Sequence, residues 1–235
     1  MIHPNTAASP LVIALEGPCY AGKTTLAAAL ARTLCATVAP DYAAVAPLPP
    51  FPPHGHGDVR AALCHFLGLE RHRAAYARAA ARPIVLCDRS PLTLISYEIG
   101  MAALGVPHDP ALAVAMFSAA LDDGTILAPD AYLYLTVTPP MAAARRAARG
   151  PVADHLSDLR VQRAINAADR FYLDQIHPSR RLVLDGATPL PKLVTQATAF
   201  IADLQQHRPP GRIPGWHTLL PTTTSPVAAI PAEVR

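Results

Sequence analysis

Residues 17–24 read Gly-Pro-Cys-Tyr-Ala-Gly-Lys-Thr, a glycine-bounded turn that runs into an ammonium and a hydroxyl. Glycines let successive backbone N–H groups point inward, and a helix starting at the lysine adds partial positive charge, so the segment can cradle a polyphosphate. Gly17, Pro18, Cys19, Tyr20, Ala21, Gly22, Lys23, Thr24 and Thr25 are therefore the expected nucleotide-binding residues. Lys23 would neutralise β- and γ-phosphate oxygens of ATP, and Thr24 would offer its hydroxyl to Mg²⁺. An apolar run precedes the turn at 11–15 and an Ala/Leu-rich stretch follows it, the strand, loop and helix order that such a loop requires. Lys23 and Lys192 are the only lysines among 20 basic residues. A slim ammonium stands where a branched guanidinium would crowd the loop.

Two further groups carry chemistry. Residues 84–90, Ile-Val-Leu-Cys-Asp-Arg-Ser, form an apolar strand that delivers Asp88 and Arg89 to its C-terminal end. Ligands bind at that end of an open parallel sheet, so Asp88 is expected to hold Mg²⁺, directly or through water, opposite Thr24. Arg89 would face the transferred phosphoryl or the acceptor. Arg145 and Arg149 lie four apart, on one helical face, just before Gly150-Pro151. They are expected to clamp the phosphate chain, although a solvated arginine face near a helix C-terminus gives the same pattern.

The elements that must position these groups follow from alternation of short apolar runs with longer helical stretches, the signature of a parallel sheet wrapped by crossover helices. Strands are expected near 11–16, 36–40, 83–88, 131–137 and 181–185. Helices are expected over 23–35, 58–80, 91–105, 109–122, 139–149, 159–177 and 190–206. The proline-rich segment 46–57 suits neither helix nor central strand and is expected as a surface loop, with His54 and His56 solvated or, given further ligands, metal-binding. From about Gln206 the chain loses periodicity and gains prolines, which suggests an irregular tail in which Trp216 and Leu219/Leu220 could dock. The expected organisation is thus an N-terminal extension over 1–10, one α/β domain over 11–206 and a Pro/Thr-rich tail over 207–235.

Composition narrows the class. In 235 residues, 51% are hydrophobic and 16% charged, which suits one well-buried α/β core and leaves little room for a second. A net charge of +3 is too small for a nucleic-acid groove, so nucleic acid is not an expected partner. Cys19, Cys35, Cys64 and Cys87 lack zinc or disulfide spacing and are expected reduced, Cys19 being either a passive loop residue or an oxidation-sensitive one. The N-terminus lacks a basic region and its apolar run is too short for a signal or a membrane span, so a cytoplasmic enzyme is expected.

Taken together, these motifs resemble the thymidylate kinase and deoxynucleoside kinase group of P-loop kinases. Glu16-Gly17 through Thr25, Asp88-Arg89-Ser90, the Pro129-Asp130 strand entry and Arg145-x-x-x-Arg149-Gly150 carry the resemblance in this order, with echoes in Phe171-Tyr172-Leu173 and in 182–186. It implies a three-layer P-loop NTPase fold, with a central five-stranded parallel sheet flanked by helices and an arginine-bearing lid over 145–158. It also implies a small-molecule kinase using ATP and Mg²⁺, with Lys23, Asp41, Arg89, Arg145 and Arg149 as catalytic residues and a homodimer as a plausible assembly. Thr93 and Tyr97 stand where the family has a Ser and a Tyr. Arg71 resembles its base-facing helix arginine, and Arg71, Arg89, Tyr97 and Glu98 would line the acceptor site.

One departure bears on the acceptor. Thymidylate kinases usually carry an Arg-Glu-Pro type segment after the second strand, whereas this chain reads Ala39-Pro40-Asp41-Tyr42. Asp41 is then either an acid that accepts a proton from an acceptor hydroxyl, as in deoxynucleoside kinases, or an exposed aspartate in a turn after Pro40. A nucleoside, a nucleoside monophosphate or a non-nucleoside metabolite remains open as acceptor, and a regulatory ATPase is the rival of another class.

Overall fold

The computed structural model describes residues 9–150, 154–209, 213 and 216. The expected N-terminal extension up to residue 8, the middle of the expected lid at 151–153 and most of the expected tail lie outside the described residues.

Five strands make one all-parallel sheet: β1 (Leu11–Glu16), β2 (Thr37–Ala39), β3 (Ile84–Asp88), β4 (Ala131–Thr136) and β5 (Arg181–Asp185). Their spatial order is β2-β3-β1-β4-β5, with Leu15 of β1 beside Asp88 of β3 and Leu133 of β4. The apolar sequence of β1 and β4 follows from burial on both faces. Ile13, Leu15, Leu133 and Leu135 point to one side, under α1 (Lys23–Leu34) and α8 (Leu190–Gln206). Ala14, Tyr132 and Tyr134 point to the other, where α4 (Pro91–Met101), α5 (Pro110–Asp122) and α7 (Leu159–Gln175) pack. The long α3 (His56–Ala79) lays Ala74 and Ala77 against Val85 and Cys87 of β3. Among the described residues the remaining α-helices are the short α2 (Tyr42–Val45) and α6 (Pro139–Arg149), which ends within the expected lid and buries no residue.

The three-layer architecture agrees with the sequence reading, and the differences have local causes. β2 is shorter than expected because Pro40 ends its ladder, and Asp41 then caps α2, a helix the periodicity could not reveal in four residues. Residues 102–104 tighten into a 3₁₀ turn that closes at Gly105, so α4 ends at Met101. His56 sits in the first turn of α3, two residues earlier than expected, and Asp58 accepts the His54 backbone N–H at 2.9 Å. Trp216 is buried in the same apolar cluster as Tyr132, so that part of the expected tail does dock. Among the described residues, no helix is long and apolar enough to cross a membrane.

Candidate functional site

The site lies at the C-terminal edge of β1, β2 and β3, where the strand order places α1 and α8 on one side and α3 and α4 on the other. Gly17 leaves β1 at φ +129°, and a Cβ there would stand 2.2 Å from the Leu135 carbonyl oxygen. Gly22 follows at φ +106° as the N-cap of α1. Both backbone angles and close packing therefore demand glycine, and the loop is fixed against β4.

Within that loop, Lys23 is buried and its Nζ donates to the carbonyls of Gly17 at 2.6 Å and Pro18 at 2.9 Å. Burial, reinforced by the Arg89 charge, brings the Lys23 pKa down to about 8. Thr24 Oγ1 donates to Asp88 Oδ2 at 2.6 Å, while Asp88 Oδ1 is buried without a protein partner. One hydroxyl and one carboxylate, with a carboxylate oxygen to spare, suit Mg²⁺, which keeps several waters and shares phosphate oxygens instead of filling an all-protein cage. No group of three or more His, Cys, Asp or Glu side chains that could hold a metal occurs among the described residues.

Arg89 holds φ +71° and sends its Nε to Asp41 Oδ2 at 2.7 Å, with Nη2 3.8 Å from Cys19 Sγ. Burial pushes the Asp41 carboxyl up, but the charge and hydrogen bond of Arg89 outweigh it and hold the pKa below the usual carboxylate value. Burial works against the Arg89 charge as well, yet Asp41 more than restores it, so the guanidinium stays protonated. Asp41 is thus no solitary turn residue: it caps α2 and pairs with Arg89 beside the loop.

Two buried networks hold these groups in register. Glu16, the last residue of β1, accepts the Ser90 backbone N–H at 2.8 Å and the hydroxyls of Ser90 and Thr93 at 2.6 Å each. Burial raises its pKa, and these hydrogen bonds and nearby cations oppose the rise. Arg73 is 1% exposed, pairs with Glu70 at 2.6 Å and donates to the carbonyls of Ala39 at 3.3 Å, Asp88 at 3.0 Å and Arg89 at 2.8 Å. One side chain therefore ties together the ends of β2 and β3. Tyr42 donates to the same Glu70 oxygen, and the Arg73 guanidinium stands 4.7 Å above the Tyr42 ring.

A cavity of about 550 Å³ opens from the loop at Gly17, Pro18 and Cys19. Asp41, Arg89, Tyr97 and Glu98, four of the residues expected at the acceptor site, line it. Tyr97 Oη lies 3.1 Å from His155 Nε2, and His155 stacks on Phe51 with centroids 3.6 Å apart. Glu98 accepts the Asp109 backbone N–H at 2.8 Å, and burial raises its pKa.

Other expected site residues lie elsewhere. Arg71 is exposed on α3 and does not line the cavity, because the inward face of that helix falls on Glu70 and Arg73. The Glu70-x-x-Arg73 spacing was the signal that could have found the inward arginine. Arg145 is spent on backbone: Nη1 donates to the carbonyls of Tyr20 at 2.8 Å and Ala21 at 3.0 Å, and Nη2 to Gly186 at 2.6 Å. It braces the loop against the β5–α8 turn and is not directed into the cavity. Arg149 is exposed, with Nη2 3.4 Å from Thr25 Oγ1. Tyr20 Oη donates to the Gly150 carbonyl at 2.9 Å, so the end of the lid helix rests on the glycine loop. Asp130 sits at the opposite end of the sheet, bonded to the Val12 backbone N–H and paired with Arg208.

No protein-family model matches the chain, and no curated protein matches it in sequence. Solved structures do match in three dimensions. A deoxyadenosine kinase from M. mycoides, with products dCMP and a flexible dCDP bound, superposes with a TM-score of 0.63 at 16% identity over 82% of this chain and 100% of that one. A structure of the same enzyme with bound dATP gives 0.56 at 15% identity, over 82% of this chain and 100% of that one. The thymidylate kinase from Candida albicans gives 0.57 at 14% identity over 84% of this chain and 93% of that one. At such identities the likeness establishes the fold alone, the one these solved kinases share.

Proposed function

We propose that the chain is an ATP-dependent phosphotransferase of the nucleoside and nucleotide kinase kind, with residues 11–206 as its kinase domain and Mg²⁺ as its metal. The observation that carries this reading is the meeting of two pairs. Thr24 with Asp88 forms the metal-side pair and Asp41 with Arg89 the acceptor-side pair; the neighbours Asp88 and Arg89 join the two beside one glycine loop, and Asp41 and Arg89 line the cavity. The solved kinases of the same fold support it. Four free cysteines, two of them exposed, suit a reducing compartment such as the cytoplasm.

Phosphoryl transfer needs positioning and charge neutralisation more than covalent chemistry, and the residues divide along those lines. Backbone N–H groups of 17–24 and the N-terminus of α1 receive the phosphates. Lys23 exchanges its bonds to Gly17 and Pro18 for phosphate oxygens. Thr24 and Asp88 would hold Mg²⁺, which when bound withdraws charge from those oxygens. Asp41 orients the acceptor hydroxyl and takes its proton; its lowered basicity is tolerable because a loose transition state needs the proton removed late. Arg89, held by Asp41 and next to Cys19, faces the transferred group. Arg149 closes from the lid side, and Arg145 fixes the loop that all the others depend on.

The test is Lys23→Ala assayed with Mg²⁺, ATP and a panel of acceptors. Turnover should fall on the order of 10²-fold or more with the fold intact. Wild-type turnover in that variant would remove the proposed site, and ATP consumption that ignores every acceptor would favour a regulatory ATPase.

A further inference from the structure

The acceptor side of the cavity is short of cations. Its titratable lining among the described residues consists of the carboxyl groups of Asp41, Asp58, Glu98 and Asp169, the last two with pKa values raised by burial, the His155 imidazole and the single guanidinium of Arg89. That guanidinium is already bonded to Asp41 at 2.7 Å. Neighbouring cations are occupied or turned away, since Lys23 belongs to the loop, Arg73 is buried under β2 and β3, Arg145 is spent on three carbonyls and Arg71 is outside. An acceptor phosphate is nearly a dianion and is held by forked guanidinium donors or clustered N–H groups. Here it would meet carboxylates.

The rest of the wall is mostly apolar, with Thr93, Tyr97, His155, Gln162 and Asn166 as its other polar members. The proline segment supplies Leu48, Pro50 and Phe51, α3 supplies Phe66, and Met101 and Ile165 complete the far side. Phe51 stacks on His155, and His155 reaches the Tyr97 hydroxyl, so aromatic contacts join the proline segment to residues 154–157 along one wall of the cavity. Aromatic and apolar walls of this kind accept a flat or greasy body, and among the described residues this one holds no second guanidinium and no ammonium for a phosphate.

We infer that the acceptor is a phosphate-free alcohol with an aromatic or apolar body, seated against the proline segment 48–53 with its hydroxyl turned toward Asp41. The inference rests on the kinase reading above and selects within it: nucleosides and similar alcohols enter, nucleoside monophosphates do not. The proline segment then sets acceptor specificity and is more than a surface connection.

The experiment compares matched nucleosides and their 5′-monophosphates, together with simple arylalkanols, as acceptors for MgATP with the full chain, products being separated by chromatography. Phosphorylation of phosphate-free acceptors with kcat/KM about 10²-fold or more above the monophosphates supports the inference. Equal or better use of monophosphates overturns it and leaves the kinase reading standing. Bound ATP with no acceptor of any class phosphorylated overturns both. A second measurement isolates the wall: Phe51 lies outside every helix and strand, so Phe51→Ala keeps the scaffold. It should raise the acceptor KM about tenfold and leave the ATP KM unchanged. An unchanged acceptor KM removes the proline segment from the specificity assignment.

Discussion

The proposed nucleotide side of the cleft and its proposed acceptor side are built on different principles. On the glycine-loop side the two cations are held by backbone, Lys23 by Gly17 and Pro18 and Arg145 by Tyr20, Ala21 and Gly186, and the loop turns on two glycines at positive φ. On the acceptor side the wall is mostly apolar and aromatic, its carboxyl groups outnumber the one guanidinium among the described residues, and part of it comes from an irregular proline segment. Rigid, preorganised charge suits a phosphate chain that is the same in every turnover. A soft apolar wall on a loop suits an acceptor that differs between related enzymes, because loops change without disturbing the sheet.

Arg73 is the strongest place to break this division, because it serves both sides by joining Ala39, Asp88 and Arg89. Arg73→Ala leaves Glu70 buried without its cation and should destabilise the chain by about 3–5 kcal/mol, measured by urea unfolding. A loss below about 1 kcal/mol would mean that the strand ends hold their register without it.

Two conservative variants sharpen the comparison. Asp88→Asn keeps the shape beside Thr24 and loses the charge, so kcat should fall on the order of 10²–10³ with every acceptor. Asp41→Asn should lower kcat by about 10²-fold while leaving ATP affinity within a factor of about two. Equal loss of ATP affinity in both variants would dissolve the distinction between the two sides.

The smallest expected effect concerns protons. Burial and the Arg89 charge hold the empty Lys23 near a pKa of about 8, below the ordinary lysine value of 10.5. Phosphates stabilise its charged form, so ATP binding at pH 8 should draw protons onto the protein, whereas at pH 6 Lys23 is already charged. ATP affinity should accordingly weaken as pH rises above about 8, by at most about tenfold per unit. Calorimetry in buffers of different ionisation enthalpy reads the uptake directly. No dependence on buffer at pH 8 would place the lysine pKa elsewhere.

The nucleotide side was largely legible in the sequence because its geometry is dictated locally. Glycine spacing, the strand before it and Lys23-Thr24 after it leave one arrangement, and Asp88-Arg89 follow from a strand ending at the same edge. What escaped the sequence was contact at long range. Arg71 and Arg73 are chemically alike, and only the docking of α3 on β2 and β3 decides which one is buried. Arg145 and Arg149 share a helical face, yet the approach of the Gly186 turn gives the first a bracing role. The apolar acceptor wall gathers single residues from segments more than 100 positions apart, such as Phe51 and His155, and no spacing rule announces such a meeting.

The central claim is that the Lys23 loop and the adjoining cavity together move a phosphoryl group from ATP to an acceptor. The most direct measurement incubates the protein with Mg²⁺, γ-labelled ATP and a mixture of nucleosides, and follows the label. It should appear on an acceptor hydroxyl, at a rate that depends on acceptor concentration and collapses in Lys23→Ala. Label released only as inorganic phosphate, at a rate indifferent to every acceptor, would contradict the account.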